Sequence, residues 1–182
     1  MTELPKSTLQ NVVSSQDGVI LPKTLTPEIV DMLNAAVAEE YTAHYFYRAA
    51  SNWCAGVGYT KAAEFYAGEA MAELEHALKL QKYIVDWNAT PVLPMVKFNG
   101  TFAHLVDTVN KSYAIEYQLG DKYMGWTRQV FDTHLMTFNF LQGFVDIQNA
   151  SIAETSDLLN AAQLVDVSNK LDLLHYEERY FG

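Results

Sequence analysis

The stretch EAMAELEHALKLQKYIVDW, residues 69–87, decides how this chain folds. In steps of three and four it sets Glu69, Glu73, His76, Leu80, Tyr83 and Trp87 on one stripe. The second half of that stripe is apolar, as the core-facing side of an amphipathic helix should be. The first half places two carboxylates and an imidazole on the same side. A buried carboxylate without a partner costs several kcal/mol or takes up a proton. A helix built this way therefore needs something in its core that compensates those groups.

The same mixed stripe recurs on either side of this segment. In TLTPEIVDMLNAAV, Thr26 suits a helix N-cap, Pro27 the first helical position and Glu28 the first turn. The seam that follows runs Val30, Leu33, Val37, Glu40, His44, Tyr47, Ser51 and Cys54, and the glycines of CAGVGY break it. A second helix is expected from about Tyr59 or Thr60 to Asp86. NATPVLPMVKFNG, with two prolines and a glycine, then makes a long irregular link.

A third helix is expected over roughly 102–130, with Val109, Tyr113, Glu116 and Tyr123 in line. Gly120 and Gly125 weaken it by about 1 kcal/mol each relative to alanine. A fourth covers about 134–160, with Phe138, Leu141, Val145, Gln148, Ile152 and Leu159 in register, and a short one near 162–178 closes the chain. Four helices of about 25 residues would each span on the order of 40 Å. No segment alternates as a strand does. The expected fold is all-α: a four-helix bundle with a short fifth helix, its second connection long enough to cross the bundle. Residues 1–24 read as an extended arm and 25–182 as one domain.

Composition narrows the function. The chain has 182 residues, 49% hydrophobic and 19% charged, which describes a globular protein. A formal net charge of −10 argues against a nucleic-acid partner and favours cations. Cys54 is the single cysteine, so no intrachain disulfide framework exists and a reducing compartment, the cytoplasm, is expected. No apolar run reaches membrane-spanning length, and MTELPKSTLQNVVSS lacks the pattern of a signal peptide.

Each seam carries a polar group near its middle: Glu40, then Glu73 with His76, then Glu116, then Gln148. Three converging carboxylates repel one another, and a pair of divalent cations would neutralise them. Glu73 and His76, at i and i+3, leave the helix on one face, so the carboxylate can bridge two ions while the imidazole holds one. This E-x-x-H pair, with glutamates from other helices, is how carboxylate di-metal bundles hold their ions. Oxygen-rich ligation with one nitrogen suits iron or manganese. Spacing alone leaves a plainer reading open. Glu39, Glu69 and Glu75 could form a solvated face with the seam misphased by one residue, and His44 and Tyr47 could be ordinary core side chains.

From Leu25 onward the sequence resembles the non-haem ferritins, particularly the bacterial type. LTPEIVDMLNAAVAEEYTAHYFYRAASNWC resembles that family's first helix, whose ligand glutamate precedes a tyrosine by seven residues, and this selects Glu40 with Tyr47 over Glu39. GEAMAELEHALKLQKYI resembles the second helix, YAIEYQ the third and TFNFLQGFVDIQ the fourth. The resemblance implies an up-down-down-up bundle, a 24-subunit shell and iron storage. It also implies ferroxidase catalysis, in which a di-iron pair is oxidised by dioxygen or hydrogen peroxide. In that scheme Glu40 and His76 hold the first iron, Glu73 bridges and Glu116 holds the second. Gln148 orients water or oxygen, and Tyr47 is a hydrogen-bonding partner and candidate electron donor.

Departures from the family sharpen these expectations. The positions matching a third iron site hold Ala72, Ile147, Ala150 and Ser151, so that site is expected to be absent. Gly143 stands where a tryptophan is usual, and THLMTFNFLQGFV offers none of the acids that line an iron channel in the animal proteins. His44, one turn after Glu40, is a candidate accessory ligand or a packed core histidine. Leu74, Gln148 and Ser151 occupy places where a haem-binding relative needs a methionine and a second E-x-x-H-like pair, so no haem is expected. A catalytically silent shell subunit and a non-storage di-iron peroxidase are the competing functions.

Overall fold

A computed structural model describes residues 20–98 and 100–182. Most of the expected N-terminal arm, residues 1–19, lies outside the described residues, while Ile20–Thr24 are exposed and Leu25 is buried. The described residues form five helices: α1, Pro27–Val57; α2, Thr60–Asp86; α3, Leu105–Val130; α4, Leu135–Ala162; and α5, Lys170–Tyr180. The all-α expectation holds, as does the unbroken run of α3 through Gly120 and Gly125.

Local chemistry sets the boundaries. Thr26 is extended and precedes Pro27, and the backbone N–H groups of Ile29 and Val30 return to its carbonyl. Gly58 ends α1 in the left-handed region, φ 96°, where glycine alone is unstrained. The N–H groups of Gly58 and Tyr59 both reach the Cys54 carbonyl, so the chain reverses within two residues. Tyr59 cannot cap α2 with its side chain. The buried Glu177 of α5 does so instead, accepting from the N–H groups of Lys61 at 2.9 Å and Ala62 at 3.2 Å. His104 and His134 cap α3 and α4 through their ring nitrogens.

Side-chain pairs fix the directions. Tyr47 reaches Glu116 while Tyr123 reaches Glu40, so α1 and α3 are antiparallel. Tyr66 meets Thr108, and Tyr83 meets Thr137, so α3 runs alongside α2 and α4 runs against it. The order is up, down, down, up, with the link at 87–104 carrying the chain across the bundle.

Two apolar clusters fill the ends of the bundle. One gathers Phe46, Ala50, Tyr66, Val109 and Leu158 with Tyr176 and Phe181 from the C-terminal segment. The other gathers Leu33, Val37, Leu80, Ile84, Leu119, Leu141 and Phe144. Between them lies the buried polar layer of Glu40, Glu73, Glu116 and Gln148.

Two expectations need correction. On α4 the buried line is Leu141, Phe144, Gln148, Thr155 and Leu158, while Phe138, Val145, Ile152 and Leu159 are only half-buried. Val145 and Leu159 directly follow the buried Phe144 and Leu158, so they stand about 100° round the helix from them and pack on the flank of the core. The last helix begins at Lys170 rather than near 162, because α4 runs on to Ala162 and a turn follows.

Candidate metal centre

Glu40, Glu73 and His76 come together: one ligand atom from each lies within 4.8 Å of the others. His76 Nδ1 is 3.0 Å from Glu73 Oε2 and 3.8 Å from Glu40 Oε2. Glu40 and Glu73 are buried and His76 is half-buried. Glu116 stands outside this group, across the layer on α3. Its Oε1 accepts from the Tyr47 hydroxyl and its Oε2 from the Gln148 amide, which also reaches the Glu116 carbonyl at 3.2 Å.

Burial and mutual repulsion act strongly on these acids. Burial first, then the Glu73 charge, pushes Glu40 well above the usual carboxylate range. Burial and Glu73 likewise raise Glu116 to about 8, against the pull of its bonds from Tyr47 and Gln148. Among the described residues, Glu40 Oε2 is the buried side-chain oxygen with no hydrogen-bond partner. Such a group is expensive to keep in a protein interior, and a cation beside it would remove the expense.

The sequence reading missed one participant. Tyr123, placed in the α3 seam as a core residue, donates its hydroxyl to Glu40 Oε1. The arrangement is reciprocal: the α1 tyrosine holds the α3 glutamate and the α3 tyrosine holds the α1 glutamate. The signal was available, since Tyr123 follows Glu116 by the same seven residues that separate Tyr47 from Glu40. Both phenols are pushed well above their ordinary pKa, mainly by burial, and so remain donors. The Tyr123 ring stacks on Phe144 at 5.1 Å, and Phe144 meets the His76 ring edge-on at 6.0 Å.

The neighbouring candidates sort out by environment. His44 is half-buried, and its Nδ1 donates to the Ala70 carbonyl at 2.5 Å, away from the three-residue group. Glu75 is exposed, whereas Glu39 is half-buried and pairs with Lys122 at 2.5 Å. Glu69 is also half-buried; burial, followed by the charges of Glu154 and Glu73, holds it up at about 7. The solvated-face reading therefore fits Glu75 alone of the three.

Known proteins share this plan. A family model described as a ferritin-like domain matches residues 30–165. A bacterial non-heme ferritin of Campylobacter jejuni is 30% identical over 144 residues, covering 78% of this chain and 86% of that protein. One from Staphylococcus epidermidis is 28% identical over 126 residues, 68% of this chain and 76% of its own. Among solved structures, an open-pore ferritin of Archaeoglobus fulgidus superposes with a TM-score of 0.81 at 18% identity, over 86% of this chain and 96% of that one. With the matched region spanning most of its length and every bundle helix, this chain belongs to the ferritin family.

Proposed function

We propose that this chain is a cytoplasmic iron-storage ferritin subunit whose buried polar layer is an intrasubunit ferroxidase centre. Fe(II) is the substrate, and dioxygen or peroxide accepts its electrons. The observation that carries this reading is the unpartnered Glu40 Oε2 inside a layer of three carboxylates and one imidazole. Ligands bound at about 2 Å on opposite sides of an ion lie about 4 Å apart, so the gathered donors need tighten by less than about 1 Å. Carboxylate oxygens with one imidazole and no thiol suit iron.

Glu40 and His76 hold the first ion, Glu73 bridges, and Glu116 holds the second. Gln148 releases Glu116 Oε2 as that ion arrives and orients water or oxidant beside it. Tyr47 and Tyr123 fix one oxygen of Glu116 and Glu40 respectively and so leave the other for metal. Each Fe(II) gives up one electron, and two supply the pair that takes dioxygen, with solvent protons, to the peroxide level. Anionic oxygen ligands favour the ferric state and thereby promote oxidation. The ferric product leaves for storage within an assembly of like subunits. Support for assembly comes from Val92, Leu93 and Met95 on the crossing link, which are 64%, 67% and 93% exposed in the isolated chain.

The test is a stopped-flow absorbance trace after two Fe(II) per subunit are added in air. Rapid ferric formation that is lost in Glu73→Ala supports the centre. Equally slow traces in both proteins would leave a silent shell subunit. Size-exclusion chromatography checks the assembly.

A further inference from the structure

Helix α4 gives the buried polar layer an amide, Gln148, and no carboxylate. One turn earlier on the same face stands Phe144, which is 1% exposed. Gln148 serves the Glu116 side, where its amide donates to Oε2. Phe144 serves the other side. Its ring stacks on Tyr123 with the planes 15° apart and meets the His76 ring nearly at right angles, at 73°. Phe140 packs on it edge-on at 5.3 Å, and the ammonium of the exposed Lys79 lies over it at 5.1 Å. Side chains from α2, α3 and α4 thus hold one phenyl ring, at separations where aromatic groups attract one another and a cation.

The His76 ring needs such a neighbour. The torsion that turns an imidazole about its Cβ–Cγ bond is broad and nearly two-fold, so the backbone leaves two settings open. In one, Nδ1 faces the carboxylates. In the other, half a turn away, a C–H group takes its place and the ligand is lost. Here Nδ1 faces inward, 3.0 Å from Glu73 Oε2 and 3.8 Å from Glu40 Oε2. Metal-binding histidines are usually oriented by a hydrogen bond from their second ring nitrogen. Among the described residues, the His76 hydrogen bond is the one at Nδ1, with Glu73, and its aromatic contact is the one with Phe144. Glu40 depends on the same ring at one remove, because the phenol that donates to its Oε1 is the one stacked on Phe144.

We propose that Phe144 is the positioning residue of the Glu40–Glu73–His76 group. Its perpendicular contact keeps His76 Nδ1 turned inward, and its stack keeps the Tyr123 hydroxyl on Glu40. The proposal rests on reading that group as a metal site. Phe144 touches no ion; it holds the donors in register, and donors held loosely bind more weakly. Helix α4 then aligns both sides of the layer without contributing a carboxylate, through Gln148 on one and Phe144 on the other.

The experiment titrates the metal-stripped full-length protein with Co(II) under nitrogen and follows the visible absorbance, whose position and strength report the ligands. His76→Ala supplies the spectrum of the site without its nitrogen. Phe144→Leu and Phe144→Met remove the ring while keeping most of its volume, and either one that folds decides. Each should weaken the first Co(II) about tenfold, leave the second nearly unchanged, and move the band part-way to that of His76→Ala. Leu105→Ala, which opens a cavity in the other apolar cluster, should lower the melting temperature without moving the band. A Phe144 variant with wild-type band and affinity overturns the proposal, as does one that weakens both ions alike. A band moved as far by Leu105→Ala overturns it too, since general loosening would then suffice. If His76→Ala itself binds and absorbs as the wild type does, the metal-site reading has failed, whatever the Phe144 variants show.

Discussion

The two sides of the polar layer are built on one plan and differ in what holds the second carboxylate oxygen and in which side has an imidazole. On each, a glutamate receives the hydroxyl of a tyrosine from the facing helix, Tyr123 to Glu40 and Tyr47 to Glu116. Glu116 has its second oxygen taken by Gln148, whereas Glu40 keeps its second oxygen unpartnered beside Glu73 and His76. The difference separates a position poised for an ion from one that must first release a hydrogen bond. On the proposed reading of the layer as a metal centre, the expected filling is ordered: the His76 side first and tightly, the Gln148 side second and weakly.

The strongest way to break this comparison is to remove one acid from each side. Glu40→Gln should abolish tight binding of Co(II), because the first position loses its free anionic oxygen while Glu73 alone is shared with the second. Glu116→Gln should leave one Co(II) per subunit at near wild-type affinity and lose the other. Isothermal titration calorimetry counts both. A single ion retained equally by the two variants would show that the sides are equivalent.

Proton linkage offers the next test, on the metal-free protein. Glu116 has a folded pKa of about 8 against 4.5 for the ordinary group, and Glu40 is displaced in the same direction. A carboxylate raised on folding contributes stability that is complete below its unfolded pKa and is lost as pH rises through the folded one. The melting temperature of the stripped protein should therefore fall between pH 5 and pH 9. Every tenfold difference in proton affinity between the folded and unfolded chain is worth about 1.4 kcal/mol, so the loss is a substantial part of a domain's stability. Saturating Co(II), which requires the deprotonated ligands, should flatten or reverse that slope. Differential scanning calorimetry with and without the metal measures both limbs. A stripped protein that grows more stable towards pH 9 would contradict the burial of uncompensated acids.

The tyrosines sharpen the same contrast at smaller scale. Removing an outer hydrogen-bonding partner of a ligand typically weakens metal affinity about 10- to 100-fold. Tyr123→Phe should weaken the first Co(II) by about tenfold and leave the second nearly unchanged relative to it. Tyr47→Phe should do the reverse. Titration calorimetry resolves the two steps, and identical effects on both would dissolve the pairing of one tyrosine with one side.

Much of this was legible in the sequence because it is local. Thr26, Pro27 and Glu28 announced α1, Gly58 ended it, and the polar interruptions at Glu40, Glu73, His76, Glu116 and Gln148 fell on buried faces. What stayed hidden depends on contacts distant in the chain. Glu177 reads as an ordinary surface acid in α5, yet it caps α2 from more than a hundred residues away. The second Glu–Tyr pair repeats a local spacing, but its partner lies on another helix, so spacing alone could not say what the phenol holds. The α4 seam failed for a geometric reason. The expected line was centred one flank away from the true one, since Val145 and Leu159 sit one residue, about 100° of helix, beyond the buried Phe144 and Leu158.

Gly120 carries the smallest expected effect and bears on why the second side is looser. A Cβ at this position of α3 would stand 2.8 Å from Ile152 Cδ1 and 3.2 Å from Gln148 Cγ. The Ile152 methyl is the end of a flexible side chain and can move aside, but the Gln148 methylene sits at the root of the amide that holds Glu116. Alanine gains up to about 1 kcal/mol of helix propensity over glycine, which offsets part of the crowding. Gly120→Ala should therefore change the melting temperature little while displacing the Gln148 amide. With Glu116 Oε2 no longer held by the amide, the second Co(II) should bind a few-fold more tightly and the first should not change. A variant that shifts both affinities equally, or neither, would detach Gly120 from the positioning of Gln148. The looser side would then owe its character to the missing imidazole alone.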